Sequence, residues 1–161
     1  WWLMRIGGSM RLALLLVLFI TPCCLAQPEP KTYGGTAVSV RAVYDGDTFR
    51  VDIAGWPAIV GDNMPIRIRG IDTPEMHAPN KRVADLAKTA RQLVLLKLRG
   101  AKTVELRMME RDKYFRIVAD VYADGESIGQ LLLDAKLAKP YDGKTKAKWS
   151  NADVDAYDAT Q

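Results

Sequence analysis

Hydrophobic and polar residues alternate along several short stretches between residues 36 and 122, and turn signals separate these stretches. The clearest stretch is residues 48–53, where Phe49, Val51 and Ile53 share one side of an extended chain and polar residues take the other. Alternation with a period of two is typical of a β-strand with one buried face. Five such stretches predict five strands, at residues 36–43, 48–53, 64–71, 103–109 and 116–122.

Two stretches are predicted to be helical. Residues 83–98 carry hydrophobic side chains at the three- and four-residue spacing of a helix, and Gly100 lies just past the predicted end. Ser127 and Gln130 have the spacing of a capping box, which predicts the start of a second helix that reaches about Ala135.

Two further segments show no hydrophobic periodicity of a strand or a helix. Residues 55–63 are predicted to form a loop, and residues 150–161 a loose C-terminal tail. One helix follows the third predicted strand and the other follows the fifth. This order predicts a single α+β domain that is mainly β.

The N-terminal segment has a different character from the rest of the chain. Arg11 precedes an unbroken apolar run at residues 12–20, which a proline and small residues follow. Because this run is too short to span a membrane as a helix, it predicts a signal peptide over residues 1–26. Cleavage is expected near Gln27, with a linker over residues 27–34, and the protein is expected to be secreted or periplasmic. The alternative is an uncleaved membrane anchor.

The composition excludes several kinds of active site. His77 is the only histidine, and both cysteines, Cys23 and Cys24, fall within the predicted signal peptide. A zinc site of imidazole and thiolate ligands therefore lacks its residues, and a Ser/His/Asp mechanism would have one candidate base. Any metal must be bound by oxygen, which favours Ca²⁺ or Mg²⁺. The formal net charge of +4 favours a polyanionic partner only mildly.

Three polar segments contain the candidate functional residues. Residues 45–48 have the pattern of a hairpin turn, yet Asp47 falls in phase with the inward-facing Phe49. A buried carboxylate is costly unless it is paired or binds a metal. Residues 67–75 have the pattern of a strand that ends in a turn, which leaves their crowded arginines and carboxylates unexplained. Residues 112–116, taken alone, have the pattern of a polar turn.

A regular strand would place Arg67 and Asp72 on opposite faces, because side chains alternate along a strand. A shared site for these two residues therefore requires a bulge or a bend between them. Gly70 is the predicted position of that bend.

Taken together, the three segments resemble the staphylococcal nuclease family. The resemblance rests on the sequence DGDT at residues 45–48, the pattern R-x-x-G-I-D-T-P-E at residues 67–75 and the pattern D-K-Y-x-R at residues 112–116. The sequence LAKPYDG at residues 137–143 resembles the bacterial, secreted branch. The resemblance covers residues 35–149 and implies the family fold, an OB-type five-stranded barrel with flanking helices.

The resemblance implies a Ca²⁺ site. Asp47 and Asp72 correspond to the carboxylates that bind the ion, and Thr73 corresponds to a residue that offers its backbone carbonyl. Asp45 corresponds to an acid that holds a metal-bound water. Hard oxygen ligands of this kind are those that Ca²⁺ prefers.

The resemblance also implies a catalytic set. Glu75 corresponds to the residue that orients or deprotonates the attacking water. Arg67 and Arg116 correspond to the pair that holds the scissile phosphate. Their guanidinium groups would stabilise the charge that develops on its oxygens during in-line attack.

Three further residues are expected to bind the substrate. Lys113 and Tyr114 correspond to residues that contact the terminal phosphate and the nucleotide, and Tyr141 offers a ring on which a base can stack. The alternative for Tyr141 is an ordinary surface or core tyrosine. The implied function is an endonuclease that cleaves DNA and RNA, with single strands preferred. The alternative is a non-catalytic OB-fold module that binds nucleic acid without cutting it.

The sequence departs from the family pattern at Phe115. The family usually has glycine directly before the second arginine, which is Arg116 here. If the backbone at this position needs a positive φ, phenylalanine is strained. A second interpretation, in which the Phe115 ring fills a small apolar pocket, is preferred because such packing would compensate for strain.

Overall fold

The computed structural model describes residues 33–161, so the predicted signal peptide and residues 27–32 of the predicted linker lie outside the described range. In chain order the elements are β1 (Thr36–Val43), β2 (Thr48–Asp52), α1 (Ala58–Gly61), β3 (Met64–Ile68), β4 (Ile71–Asp72), α2 (Lys81–Gly100), β5 (Val104–Arg111), β6 (Ile117–Ala123), β7 (Glu126–Ser127), α3 (Ile128–Asp134), β8 (Lys139–Pro140) and α4 (Asn151–Asp158). Within the described range, no helix has both the length and the apolar character needed to cross a membrane.

Five strands form a closed barrel. Strands β3, β2, β1, β5 and β6 are hydrogen-bonded in that order, and parallel pairing of β3 with β6 closes the ring. The short strand β7 extends the sheet beyond β6, and β4 pairs with β8 as a separate two-stranded sheet. The predicted OB-type barrel with flanking helices is confirmed.

The barrel interior is filled by the hydrophobic positions that alternate along its strands. Phe49 and Val51 of β2 are fully buried, as their alternation predicts, and β6 alternates between buried and half-buried side chains along its whole length. Helix α2 covers the core with six buried residues, which are Val83, Leu86, Ala87, Ala90, Val94 and Leu98. Removal of these apolar side chains from water is the main favourable contribution to folding.

Helix α2 is longer than its predicted range of residues 83–98. It begins at Lys81 because Asn80 caps it, with the Oδ1 of Asn80 accepting a hydrogen bond of 3.0 Å from the backbone N–H of Arg82. Gly100, which was predicted to lie past the end of the helix, is its last residue.

Two of the smaller sequence predictions have different outcomes. One half of the predicted capping box of α3 is present, since the Oγ of Ser127 accepts a hydrogen bond of 3.3 Å from the backbone N–H of Gln130, while the side-chain amide of Gln130 donates to Asp134 at 2.7 Å. Residues 55–63, in contrast, are not only loop, because they contain the single-turn helix α1.

The prediction of a loose tail over residues 150–161 is wrong, because this segment contains α4, which packs against α2. Val154 is buried in the contact. Arg82 of α2 forms ion pairs with Asp155 at 2.7 Å and Asp158 at 3.2 Å. A helix of eight residues has too few hydrophobic positions to show a helical period, so the sequence pattern could not reveal it.

Candidate active site

Strand pairing brings the three polar segments to one end of the barrel. Strand β2 pairs Thr48 with Arg67 of β3, so the preceding residue, Asp47, lies beside Arg67. Strand β3 also pairs with the beginning of β6 at Ile117, which directly follows Arg116. The closure of the barrel therefore places segments that are far apart in sequence around one position.

The predicted bend between Arg67 and Asp72 is present. Strand β3 ends at Ile68 and β4 begins at Ile71, so the third predicted strand is interrupted. Gly70, within the interruption, has a φ of +76°, a backbone conformation that glycine adopts without steric cost. The turn brings Asp72 back to the Arg67 side chain.

The guanidinium of Arg67 is buried between two carboxylates. Arg67 is 8% exposed, Asp47 5% and Asp72 2%. Its Nη1 forms an ion pair with the Oδ1 of Asp47, and its Nη2 donates to the Oδ1 of Asp72 at 3.3 Å and to the carbonyl of Ile71 at 2.9 Å. Burial lowers the pKa of Arg67, and the charges of Asp72 and Asp45 act against that effect. The group stays charged, because arginine is not deprotonated in proteins.

The loop between β1 and β2 is fixed against the segment that follows β4. The backbone N–H of Thr73 donates to the Oδ2 of Asp47 at 2.9 Å, and the N–H of Asp47 donates to the Oδ1 of Asp45 at 3.2 Å. A Cβ on Gly46 would lie 2.8 Å from the Cγ2 of Thr73, so only glycine permits this close approach. Burial raises the pKa of Asp45 above its ordinary value.

Glu75 lies beside Asp72 with its side chain 65% exposed. The ammonium of Lys146 connects the two acids, at 2.6 Å from the Oε1 of Glu75 and 3.0 Å from the Oδ1 of Asp72. Partial burial acts to lower the pKa of Lys146, but hydrogen bonds to Glu75 and Asp72 outweigh it and the pKa is raised. Lys146 was not among the residues predicted from the sequence, where its signal was a lysine at every second position from 144 to 148.

Arg116 is oriented by Asp112, a second residue whose role the sequence did not reveal. The Nε of Arg116 donates to the Oδ2 of Asp112 at 2.8 Å, and the Oδ1 of Asp112 accepts backbone N–H groups of Arg116 and Tyr114. Partial burial acts to raise the pKa of Asp112, but these hydrogen bonds lower it below its ordinary value. Arg116 precedes β6, which begins at Ile117 and not at Arg116 as predicted.

The predicted substrate-binding residues line a groove of about 810 Å³ beside Arg67 and Arg116, and these residues are Lys113, Tyr114 and Tyr141. The Cζ of Arg116 lies 5.3 Å from the centre of the Tyr114 ring, and the Cζ of Arg67 lies 5.9 Å from that of Tyr141. Aromatic faces next to positive charge suit a single strand, because bases stack on rings while phosphates meet cations.

The predicted catalytic and metal-binding residues lie together. A cavity of about 330 Å³ is lined by Asp45, Asp47, Arg67, Thr73, Glu75 and Arg116, among others. Asp72 lines an adjoining cavity that Glu75 and Lys146 share. The structure thus brings the predicted residues to one place, and the individual roles assigned to them stay predictions.

The donor set suits a hard cation. Asp47 and Asp72 both direct a carboxylate oxygen to the Arg67 guanidinium, so their acid groups converge. Among residues 33–161, no three His, Cys, Asp or Glu side chains gather closely enough to hold a metal by themselves. Other ligands would have to be backbone oxygens, such as the carbonyl of Thr73, and water. Ca²⁺ accepts such mixed oxygen sets, so these residues fit it.

Comparison with known proteins decides the family. The profile described as "Staphylococcal nuclease homologue" matches residues 65–160, which is more than half of the chain. The chain belongs to this family. The predicted resemblance is confirmed, while the bacterial, secreted branch stays a prediction.

Three relatives of this staphylococcal nuclease homologue come from a fungus, a bacterium and a plant. A "Probable endonuclease" of Colletotrichum graminicola is 30% identical over 146 residues, which cover 76% of this chain and 51% of the relative. The "Thermonuclease" of Staphylococcus intermedius is 31% identical over 116 residues, covering 71% and 61%. A "Probable staphylococcal-like nuclease" of Oryza sativa subsp. japonica is 29% identical over 113 residues, covering 68% and 32%. The chain spans about half the length of the first curated relatives it matches.

Phe115 of this family member occupies a strained backbone position. Its φ is +61°, in the left-handed region, where a side chain other than glycine is disfavoured. The residue is 52% exposed, and the centre of its ring lies 4.0 Å from the Cζ of Arg111. The positive φ expected from the family pattern is therefore present, and the preferred interpretation that the ring fills an apolar pocket is wrong.

We expect Phe115→Gly to be more stable than Phe115→Ala by about 1 kcal/mol in the free energy of unfolding. Both changes remove the contact of the ring with Arg111, but only glycine relieves the positive φ. Chemical denaturation of the two variants measures the difference. An alanine variant as stable as the glycine variant would show that the position carries no strain.

Proposed function

We propose that the chain is a Ca²⁺-dependent nuclease that hydrolyses phosphodiester bonds in DNA and RNA, with single strands preferred. The observation that carries this proposal is the convergence of two buried carboxylates, an exposed glutamate and two arginines at the end of a basic groove. Membership of the staphylococcal nuclease family supports it, as do the nuclease names of the relatives.

Arg67 and Arg116 would hold the scissile phosphate. Arg67 is fixed by Asp47 and Asp72, and Arg116 by Asp112, so both guanidinium groups are oriented before a substrate arrives. In-line attack on phosphorus increases the negative charge on the non-bridging oxygens. Donors that are already oriented stabilise that charge without reorganisation at the moment of reaction.

Glu75 would act as the general base. It is the exposed carboxylate of the cavity, while Asp47 and Asp72 are buried and paired. A carboxylate so placed can accept a proton from a water molecule that attacks the phosphate. Asp47, Asp72 and the carbonyl of Thr73 would hold the Ca²⁺ ion, with Asp45 behind them. Bound there, Ca²⁺ supplies Lewis-acid stabilisation of the charge on the phosphate.

The groove accounts for substrate binding. Tyr114 and Tyr141 present rings on which bases of any sequence can stack, and Lys113 lies 5.0 Å from the Tyr114 ring centre, where a phosphate would meet its charge. The groove alone would also serve the alternative function, an OB-fold module that binds without cutting. That alternative does not explain why Glu75 lies beside Asp72 at a phosphate-binding position, where negative charge would repel the ligand.

Digestion of fluorescently labelled single-stranded DNA tests the proposal. The purified chain should cleave it with Ca²⁺ present and stop when a chelator removes the ion. The control is Arg116→Ala, which should keep the fold and lower turnover by about 10²–10³-fold. Binding without cleavage at any Ca²⁺ concentration would support the non-catalytic alternative, and full activity in chelator would exclude a role for the metal.

We also propose that the enzyme is exported, because of the apolar run at residues 12–20 and the basic residue before it. The mass of the protein recovered from culture medium or periplasm should place the new N-terminus near Gln27. Recovery of the intact chain in a membrane fraction would instead support the anchor.

A further inference from the structure

Residues 142–148, which we call the lysine strap, run past the proposed catalytic cavity without regular secondary structure. Both ends of the strap are anchored. At one end the backbone N–H of Tyr141 donates to the carbonyl of Gly70 at 2.9 Å. At the other end the Nζ of Lys139 donates to the carbonyl of Lys148 at 2.9 Å. The strap is therefore held beside the turn that positions Asp72.

One lysine of the strap reaches the acids and its neighbour does not. The ammonium of Lys146 contacts both Asp72, at 3.0 Å, and Glu75, at 2.6 Å. Lys144 is 84% exposed, and within residues 33–161 its ammonium pairs with Asp142 of the same strap, at 3.6 Å, and not with the acids of the cavity. The contact of Lys146 is thus a specific placement of one charge and not a general property of a lysine-rich loop.

The two carboxylates that Lys146 joins are those that the proposed reaction uses in different ways. Asp72 would bind the metal and Glu75 would accept a proton from water. The Oδ1 of Asp72 already contacts two cationic groups, the Nη2 of Arg67 at 3.3 Å and the ammonium of Lys146 at 3.0 Å. A divalent ion at this oxygen would be repelled by both groups, and Lys146, whose side chain is 50% exposed against 9% for Arg67, is the one that can move away.

We propose that Lys146 is a built-in cation that exchanges with Ca²⁺ at Asp72. Without metal, the ammonium compensates the charges of Asp72 and Glu75 and keeps the two acids together. When Ca²⁺ binds Asp72, the ammonium leaves, and Glu75 becomes free to contact water. The exchange lowers the apparent affinity for Ca²⁺, so Lys146 sets the concentration at which the site becomes active. This inference rests on the Ca²⁺ site of the proposed function.

Calorimetric titration of Ca²⁺ into the metal-free chain tests the exchange without reference to activity. Lys146→Met should bind Ca²⁺ about tenfold more tightly than the parent, since the ion no longer has to displace a charge-assisted hydrogen bond. Lys144→Met removes the same charge from the same strap and should stay within about twofold of the parent. Lys146→Gln, which keeps a neutral hydrogen-bonding head, should fall between the parent and Lys146→Met.

Circular dichroism establishes that each variant is folded before titration. If Lys146→Met is not folded, the comparison with the parent uses Lys146→Gln instead. Equal Ca²⁺ affinity in the parent and the Lys146 variants would overturn the exchange while the proposed function stands. Weaker Ca²⁺ binding in those variants would show that Lys146 helps to hold the metal, and this result would also overturn the exchange. Absence of Ca²⁺ binding in the parent and in all variants would overturn the exchange together with the metal site.

Discussion

Replacement of Glu75 by glutamine is expected to lower turnover by about 10²–10⁴-fold, the usual contribution of a general base. The free energy of unfolding should change little, because the side chain is 65% exposed and pairs with Lys146 of the lysine strap. Glutamine keeps the shape of the side chain but cannot accept a proton from water at neutral pH. Single-turnover cleavage of labelled single-stranded DNA, together with thermal unfolding, measures both quantities.

Glu105→Gln is the matched control for Glu75→Gln. Glu105 lies on β5 and pairs with Arg107, away from the cavity, so the same chemical change should leave turnover at the parental value. Substrate binding by the Glu75 variant, measured by fluorescence anisotropy, should persist. Parental turnover in Glu75→Gln would remove this residue from the mechanism, and an unfolded variant would assign it a structural role.

The barrel could be predicted from the sequence because each of its strands has one buried face. Such strands must alternate between hydrophobic and polar residues, and Phe49 and Val51 on β2 do so. The predicted ends of the strands were less accurate. The fourth strand was predicted to end at residue 109, but β5 continues to Arg111 through an irregularity at Met108, where φ is +51°. At such a bulge the alternation of hydrophobic and polar side chains shifts by one residue. The sequence pattern therefore predicts an end of the strand that is too early.

The buried part of the candidate site was also visible in the sequence. Asp47 stood in the hydrophobic phase of a strand, and a charge in that phase must be compensated. The need for a bend between Arg67 and Asp72 followed from the two-residue period, and Gly70 provides it. These inferences succeeded because they depend on local geometry, which a sequence determines over a few residues.

The outer part of the site could not be predicted, because it depends on contacts between distant segments. Lys146 lies 71 residues from Glu75 and belongs to a strap without periodicity, and lysines are ordinary in exposed loops. Asp112 had the pattern of a turn residue, and its contact with Arg116 requires the geometry of that turn. Helix α4 was missed because its eight residues are too few to show a helical period and because α2, against which it packs, lies far away in the sequence.

Replacement of Arg67 by alanine is expected to lower the free energy of unfolding by about 3–5 kcal/mol when no metal is present. The change leaves Asp47 and Asp72 buried without the guanidinium that compensates both, and uncompensated buried carboxylates are strongly destabilising. Urea denaturation in chelator measures the loss. Because a divalent ion can take over the compensation, Ca²⁺ should restore more stability to this variant than it adds to the parent.

Two further variants separate the buried ion pairs from a general effect of removing an arginine. Arg41→Ala removes an arginine on β1 whose pairing with Asp52 is exposed, so its effect on stability should be far smaller. Arg67→Lys keeps one positive charge but replaces the two donor nitrogens Nη1 and Nη2 with a single ammonium nitrogen, which cannot reproduce the planar geometry between the two carboxylates. Its stability should lie between that of the parent and that of Arg67→Ala. If Arg67→Ala were as stable in chelator as Arg41→Ala, then Asp47 and Asp72 would not depend on Arg67 for compensation. The site would then not be organised around Arg67, because Asp47 and Asp72 would be held together by other groups.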